Sequence, residues 1–373
     1  MYYRRMAIEV ESPEERGYET IDCNLTESSV RDLRLEALGV ELSSLVLAYT
    51  DHRGKRALRA ALGEAAGEGG QRLSAEQVLL TAGAASALFM VATSLLHAGS
   101  HCVIVDPNYA TNLETPRLLG CEVARLPLQF ESGFRLDLER LKRMTRSETQ
   151  LISVTYPHNP SGVNLSRVEL DALIEWAESR GCWLLVDETY RELTHGEMLP
   201  MAASLSRRAI SIGSFSKAYG LPGLRIGWLM TQDEGLMETF LAAKEQIYVC
   251  NSVIDEELAW AAYAQRGKLL GEIRAQMKVH FEDVCQWMES EKMLEWVKPE
   301  GGVVCFPRIR EGEGVEVARF YECLQGEYRT YVGPGRWFGL SDAYFRIGYA
   351  WPLREELGRG LRHVSEALKR AKR

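Results

Sequence analysis

The chain has 373 residues, of which 46% are hydrophobic and 26% charged, a balance typical of a globular protein with one large core and a smaller second one. Its 52 acidic and 44 basic residues give a formal net charge of −8, which argues against nucleic acid as a main partner. No apolar run approaches the ~20 residues of a membrane-spanning helix, and no long apolar segment follows the basic N-terminal residues. We therefore expect a cytoplasmic protein without a signal peptide. The eight cysteines and seven histidines are scattered without metal-ligand spacing, so we expect reduced cysteines and no metal site.

Short apolar runs alternate with helical patterns between residues 53 and 265. This rhythm predicts an α/β fold with a mostly parallel, seven-stranded sheet covered by helices on both faces. The predicted strands are Gln77–Thr81, Cys102–Val105, Glu122–Arg125, Leu151–Thr155, Cys182–Val186, Ala209–Ile212 and Arg225–Leu229. The predicted helices include Lys55–Leu62, Ser86–His97, Ser166–Arg180 and a segment from Gln232 onward.

The pattern changes after about residue 270, where a long helix is predicted over Gly271–Glu289. Apolar segments follow at Gly301–Phe306 and Tyr344–Ala350, and the chain ends in another predicted helix. The apolar stripe of that last helix consists of Leu353, Leu357, Leu361, Val364 and Leu368. We therefore predict a large domain at residues 46–268 and a smaller α+β domain at residues 269–373.

Three polar residues stand where predicted strands end, namely Asn159, Asp187 and Lys217. In open α/β sheets, ligands bind beyond the carboxyl ends of the strands. A lysine in such a place loses hydration, and desolvated lysines have lowered pKa values and form Schiff bases with carbonyl compounds. Each residue alone also fits an ordinary structural role: a turn, a helix cap or a solvated lysine. The three together predict a ligand site at this edge of the sheet.

Groups suited to an anion accompany the lysine. Two hydroxyls and a guanidinium lie close to it in sequence, and they are Ser214, Ser216 and Arg225. A second anion-binding candidate is the start of a helix after the first strand, because helix N-termini present free amide groups. Its residues are Gly83, Ala84 and Ala85. Each motif alone is weak, but together they predict a phosphate-binding cup.

The order of these motifs resembles that of the fold-type-I pyridoxal phosphate enzymes, and more narrowly that of the class I and II aminotransferases. The motifs are Asn159-Pro-Ser-Gly, Asp187-x-x-Tyr190, Ser214-x-Ser-Lys217 and then Arg225. The resemblance implies the fold of that enzyme class and pyridoxal 5′-phosphate as cofactor. It also implies that residues 1–45 join the small domain.

The resemblance assigns roles to the site residues. Lys217 is the expected Schiff-base lysine and general base, and Asp187 the partner of the pyridine nitrogen. Asn159 and Tyr190 are expected to hydrogen-bond the 3-oxygen of the ring, and Tyr109 to stack on the ring.

The resemblance also implies a homodimer with shared active sites. Tyr49 is expected to reach the phosphate bound by the partner subunit, and Asn251 and Ser252 are candidates for the interface.

Arg346 is the candidate for binding a substrate carboxylate. Alternation in its predicted strand puts Arg346 on the same face as Gly348 and Ala350, which leaves room in front of the guanidinium for a planar anion. By itself the pattern also fits a solvated arginine on an edge strand. The family motif, an arginine in such a strand near the C-terminus, favours the substrate role.

One segment departs from the family pattern. Many relatives carry a Gly-x-Pro motif near the N-terminus, whereas Thr26 to Val30 has neither residue. This leaves two reactions open. The first is transamination of an α-amino acid, in ping-pong fashion through the pyridoxamine form of the cofactor. The second is elimination or cyclisation of a modified, guanidino-bearing amino acid, as in capreomycidine synthase. Glu27 is then a candidate partner for a cationic side chain, although a solvated loop acid fits the same position.

A third class, transcription regulators with an aminotransferase-like domain, needs a basic DNA-binding domain. The acidic composition of the chain argues against this class.

Overall fold

A computed structural model describes residues 2–373 of the chain. Its strands are β1 (Cys23–Asn24), β2 (Val78–Thr81), β3 (His101–Asp106), β4 (Glu122–Pro127), β5 (Thr149–Thr155), β6 (Trp183–Asp187), β7 (Ala209–Ser214), β8 (Gly227–Thr231), β9 (Leu294–Glu295), β10 (Val304–Cys305), β11 (Arg308–Ile309), β12 (Thr330–Tyr331), β13 (Gly333–Pro334) and β14 (Phe345–Gly348).

The α-helices are α1 (Ala7–Val10), α2 (Pro13–Arg16), α3 (Arg56–Ala66), α4 (Gly83–Leu95), α5 (Ala110–Leu118), α6 (Leu138–Met144), α7 (Arg167–Arg180), α8 (Ala202–Leu205), α9 (Glu234–Ile247), α10 (Val253–Ala264), α11 (Arg266–Ser290), α12 (Val317–Glu322) and α13 (Arg354–Ala371). None of the helices in residues 2–373 is both long and apolar enough to cross a membrane.

The central sheet has seven strands in the order β2-β8-β7-β6-β5-β3-β4. Strand β8 runs antiparallel to both of its neighbours, and the other pairings are parallel. All seven strands were predicted, and the structure confirms the mostly parallel α/β sheet.

Helices cover both faces of this sheet, which explains the continuous apolar runs of its central strands. Leu185 packs into a cluster with residues of α4 and α9. Its neighbours Leu184 and Val186 point to the opposite face and pack into a cluster with residues of α7. The carboxyl ends of β5, β6 and β7 therefore lie side by side at one edge of a rigid, fully buried layer.

The C-terminal part contains small sheets packed against the long helices α11 and α13. One sheet has the order β10-β14-β13, and β1 pairs in parallel with β12.

The apolar stripe of α13 is buried at its last four predicted positions, from Leu357 onward. The prediction was wrong for Leu353, which precedes the helix and is 49% exposed. The predicted domain boundaries stay a prediction. Helix α11 begins at Arg266, slightly before residue 269, where the small domain was predicted to begin.

A segment after β1 is held between the two parts of the molecule. Leu25 accepts a hydrogen bond from the backbone N–H of Gly348 at 2.7 Å, which ties the segment to β14. On the other side, Val30 N–H donates to the backbone oxygen of Lys217 at 3.1 Å, and Leu33 N–H donates to Gly220 at 2.8 Å. Residues 25–33, here called the N-terminal strap, therefore lie directly against the lysine loop.

Close packing of the strap depends on Gly348. A Cβ atom at this position would lie 1.7 Å from the backbone oxygen of Glu27. We predict that Gly348→Ala displaces the strap and lowers the free energy of unfolding by about 2 kcal/mol, measured by urea denaturation. Gly358→Ala in α13 is the control, because its Cβ would meet only Arg362 Nη1 at 3.6 Å. This helical substitution should stabilise the protein by about 0.5 kcal/mol. Equal stability of the two variants would contradict the prediction.

Candidate active site

A cavity of about 320 Å³ opens at the carboxyl ends of β5, β6 and β7. Its wall also includes the N-terminal strap, the start of α4 and β14. Twelve of the predicted site residues line it: Glu27, Ala84, Ala85, Tyr109, Asn159, Asp187, Tyr190, Ser214, Ser216, Lys217, Arg225 and Arg346. Residues far apart in sequence thus converge on one chamber.

Lys217 follows β7 in the loop that leads to β8, and its side chain reaches into the cavity. Its Nζ donates a hydrogen bond to Ser28 Oγ at 3.3 Å. Burial lowers the pKa of the Lys217 amine, and the nearby Arg346 guanidinium lowers it further, while Glu27 acts in the opposite direction. The amine is therefore easier to deprotonate than a solvated lysine, as a nucleophile or a base requires.

Asp187 is the last residue of β6 and is 5% exposed. Its Oδ1 atom accepts hydrogen bonds from Thr189, at 3.1 Å from the backbone N–H and at 2.6 Å from the hydroxyl. Burial raises the pKa of the carboxyl, whereas the Thr189 donors and Lys217 counteract this rise. Because both hydrogen bonds end on Oδ1, the second carboxylate oxygen is left for a ligand in the cavity.

Arg225 and two serines form a polar cradle next to the lysine. Arg225 Nη1 donates to Ser216 Oγ at 3.3 Å, and Ser214 Oγ donates to Ser216 Oγ at 2.8 Å. Arg225 has a left-handed backbone with φ 50°, which is uncommon for a residue with a side chain.

The first residue of α4 lies against this guanidinium. Gly83 has φ +78°, and a Cβ atom there would lie 2.6 Å from Arg225 Nη2. The next two residues, Ala84 and Ala85, line the cavity where the helix begins. The cradle thus combines hydroxyls, a guanidinium and a helix N-terminus, which together suit a phosphate dianion.

Arg346 lies in β14, lines the cavity and is 4% exposed. Its Nη1 donates to Asn159 Oδ1 at 3.1 Å, and its Nη2 donates to the backbone oxygen of Thr26 at 2.6 Å. Its Nε is buried without a hydrogen-bond partner among residues 2–373. The guanidinium is held in place and keeps free donors, as binding of a planar carboxylate requires.

The expected free space beside Arg346 is only partly present. Gly348 was expected to leave room for an anion, but the backbone of Glu27 occupies the space in front of it. That part of the prediction was wrong, because the strap packs directly on β14.

The remaining predicted ring contacts differ in burial. Tyr190 is buried, and burial raises the pKa of its phenol to about 12, so it is a hydrogen-bond donor at neutral pH. Tyr109 caps the start of α5 and is 38% exposed at the cavity.

Glu27 is more constrained than a solvated loop acid. Its Oε1 accepts hydrogen bonds from Tyr18 Oη at 3.1 Å and from Asn24 Nδ2 at 3.2 Å. Burial raises the pKa of the carboxyl, and Lys217 lowers it. The strap therefore presents a positioned carboxylate to the cavity.

Besides Gly83, three predicted residues do not line this cavity. Tyr49 is 85% exposed. Asn251 is buried, and its Oδ1 has no hydrogen-bond partner among the described residues. Ser252 caps α10 by accepting from the backbone of Asp255 at 3.4 Å. Their roles across a dimer interface stay predictions.

Several contributors escaped the sequence reasoning. Ser28 holds the lysine amine, and only its place in the unusual segment could have pointed to it. Thr189 lies inside the Asp-x-x-Tyr motif, where a hydroxyl two residues after the acid is a recognisable signal. Tyr248 caps α4, because its hydroxyl oxygen accepts from the backbone N–H of Ala82 at 3.0 Å.

His158 supports the loop that carries Asn159 through two contacts of its ring nitrogens. Its Nε2 lies 2.8 Å from the backbone oxygen of Pro107, so this nitrogen carries the proton, and Nδ1 accepts from Ser161 Oγ at 2.7 Å. Burial lowers its pKa to about 4, so the ring is neutral near pH 7.

Comparison with known proteins identifies the family. The sequence model of aminotransferase class I and II matches residues 24–364. Capreomycidine synthase of Streptomyces vinaceus is 31% identical over 92% of this chain and 87% of its own length. Arginine–pyruvate transaminase AruH of Pseudomonas aeruginosa is 30% identical over 82% of this chain and 80% of its own. A PLP-dependent aminotransferase from Streptococcus suis superposes with a TM-score of 0.91 at 27% identity, covering 100% of both chains.

The chain therefore belongs to the class I and II aminotransferase family, as its motifs predicted. It is a pyridoxal-phosphate-dependent enzyme of fold type I. The cavity fits this cofactor, since it offers a lysine amine, an open carboxylate oxygen of Asp187 and an anion cradle at Arg225.

The contact between Gly83 and Arg225 generates a prediction about the cofactor. Gly83→Ala should push the guanidinium aside and weaken pyridoxal phosphate binding about tenfold or more, since charge-assisted hydrogen bonds contribute about 1.5–3 kcal/mol. The dissociation constant can be measured by fluorescence titration of the apoenzyme. Gly99→Ala is the matched control, because Gly99 also has a left-handed φ of +85° but meets nothing within 4 Å. A similar loss in both variants would indicate backbone strain alone.

Proposed function

We propose that this protein is an aminotransferase that removes the amino group of an α-amino acid and passes it to a keto acid. The observation that carries the proposal is the lysine amine of lowered pKa, placed between an acceptor for a ring nitrogen and an anchor for a carboxylate. Family membership supports it, and transaminases occur among the similar proteins.

Each residue has a proposed task. Bound pyridoxal phosphate supplies an electron-withdrawing ring that makes the α-hydrogen of an amino acid acidic. The Lys217 amine would hold the cofactor covalently at rest and would move the α-proton of the substrate. Asp187 would pair with the ring nitrogen and keep it protonated. Asn159 and Tyr190 are assigned to the 3-oxygen, and Tyr109 to the face of the ring.

The phosphate and the substrate carboxylate are assigned to separate cations. Arg225, with its serines and the start of α4, is proposed to hold the phosphate. Arg346 is proposed to bind the α-carboxylate and so to orient the Cα–H bond toward Lys217. Retention of the carboxylate on Arg346 favours chemistry at Cα over decarboxylation.

The second candidate is a lyase or cyclase that acts on a modified, guanidino-bearing amino acid in the same cavity. Two observations favour it: the unusual strap, and the similarity to capreomycidine synthase. The two candidates share the residues above and differ in the fate of the amino group.

Amino acid consumption without a keto acid distinguishes the two reactions. A transaminase keeps the amino group, so each active site should consume about one equivalent and then stop until pyruvate or another keto acid is added. Quenched samples analysed by chromatography give the count, and Lys217→Ala should consume nothing. Continued turnover without a keto acid would reject transamination in favour of the second candidate.

The role of Asp187 can be tested with an isosteric change. In Asp187→Asn the Thr189 hydrogen bonds can still form, but the neutral amide does not stabilise a protonated ring nitrogen. We expect turnover to fall about a thousandfold with an unchanged circular dichroism spectrum and thermal midpoint. Near-normal turnover would show that Asp187 is not the ring partner.

We also propose that the enzyme is a homodimer. Val46 and Leu47 are 75% and 73% exposed, and Tyr49 follows them with its ring in solvent. Such an apolar stretch is typical of a protein–protein contact. A second subunit that covers it would allow Tyr49 to reach the partner's phosphate cradle.

A further inference from the structure

The cavity contains two carboxylates that the proposed reaction does not use. Besides Asp187, its acidic lining residues are Glu27 on the strap and Glu14 on α2. Glu27 is half-buried and Glu14 is exposed. Both belong to the N-terminal part of the chain, whereas Asp187 ends β6 and Lys217 follows β7 of the central sheet.

Glu27 has the features of a built binding group. Its two donors, Tyr18 and Asn24, both bind Oε1, which fixes the carboxylate and leaves Oε2 without a hydrogen-bond partner among the described residues. Glu14 lies near enough to disfavour the charged form of Glu27. A cation placed between two like charges would relieve that repulsion.

The countercharge of Glu27 comes from Lys217, which has another task in the proposed reaction. Neither Glu27 nor Glu14 forms an ion pair with another described residue. Lys217 favours the ionised form of Glu27 more strongly than any other group does. Under the proposed function, the Lys217 amine is committed to the cofactor or acts as a neutral base. Of the cations near Glu27, Arg346 then remains, and its guanidinium is assigned to the substrate carboxylate. Glu27 is left with little countercharge, which is unfavourable for a partly buried carboxylate.

We propose that Glu27, assisted by Glu14, binds the cationic side chain of the substrate, so that the enzyme selects amino acids with a guanidinium or ammonium group. This inference rests on the proposed function, because it assumes an amino acid whose carboxylate lies on Arg346. The cavity then has an anion-binding end at Arg346 and a cation-binding wall at the strap. The cation of the substrate replaces the charge that Lys217 gives up.

Two non-reacting acids of the same shape test the inference by binding alone. 5-Guanidinopentanoate and 5-ureidopentanoate both lack the α-amino group, and they differ in side-chain charge. Calorimetric titration of the holoenzyme should show the guanidino acid binding about tenfold or more tighter, as expected for a charge-assisted hydrogen bond. Glu27→Gln should abolish this preference, and Glu14→Gln should reduce it less, because Glu14 is solvated. 6-Aminohexanoate shows whether an ammonium group is also accepted.

The control for charge is Glu19→Gln, an exposed acid of the same N-terminal part that does not line the cavity. This variant should keep the full preference. Retained cofactor absorbance and thermal midpoint of Glu27→Gln exclude misfolding. Equal binding of the two acids to the natural enzyme, binding of neither, or an unchanged preference in Glu27→Gln would overturn the inference.

Failure of the proposed function would look different. In the keto acid experiment the natural enzyme would then consume no amino acid, charged or neutral, or would continue to consume it without a keto acid. The variant Arg346→Ala separates the inference from the proposed function further. It should weaken the binding of both acids alike and leave the preference between them unchanged.

Discussion

The site depends on holding one primary amine out of bulk water while leaving it accessible to a ligand. Lys217 satisfies both conditions because it follows a strand whose six residues are all buried, and because its side chain lines the cavity. The strap closes the other side through the backbone of Val30 and the hydroxyl of Ser28. Desolvation then favours the neutral amine, which is the reactive form.

Charges of both signs surround this amine. The guanidinium groups of Arg225 and Arg346 line the same cavity as the carboxylates of Asp187 and Glu27. Each cation is fixed by neighbours before any ligand arrives, Arg346 by Asn159 and the backbone of Thr26. Such preorganisation reduces the entropy lost on binding and orients a ligand with two anionic groups.

Sequence reasoning reached the sheet and most of the cavity lining because both leave local signals. Buried parallel strands are continuous apolar runs, and strand-end polar residues are exceptions that stand out against them. What it missed depends on contacts across the fold. Ser28 is an ordinary serine until the strap meets Lys217, and the space beside Gly348 was expected for a ligand but holds the backbone of Glu27. Leu353 fits the helical stripe by period alone, yet the helix starts one residue later.

The pairing of β1 with β12 has a consequence for how the protein is made. Cys23 lies beside Thr330, so two segments separated by most of the chain share one small sheet. Synthesis on the ribosome delivers β1 long before its partner strand β12. The central sheet, whose strands lie between residues 78 and 231, has all its partners available much sooner. The lysine loop can therefore form on the nascent chain well before the small sheets that complete the cavity, and the catalytic chamber is completed only after β12 and β14 have been synthesised.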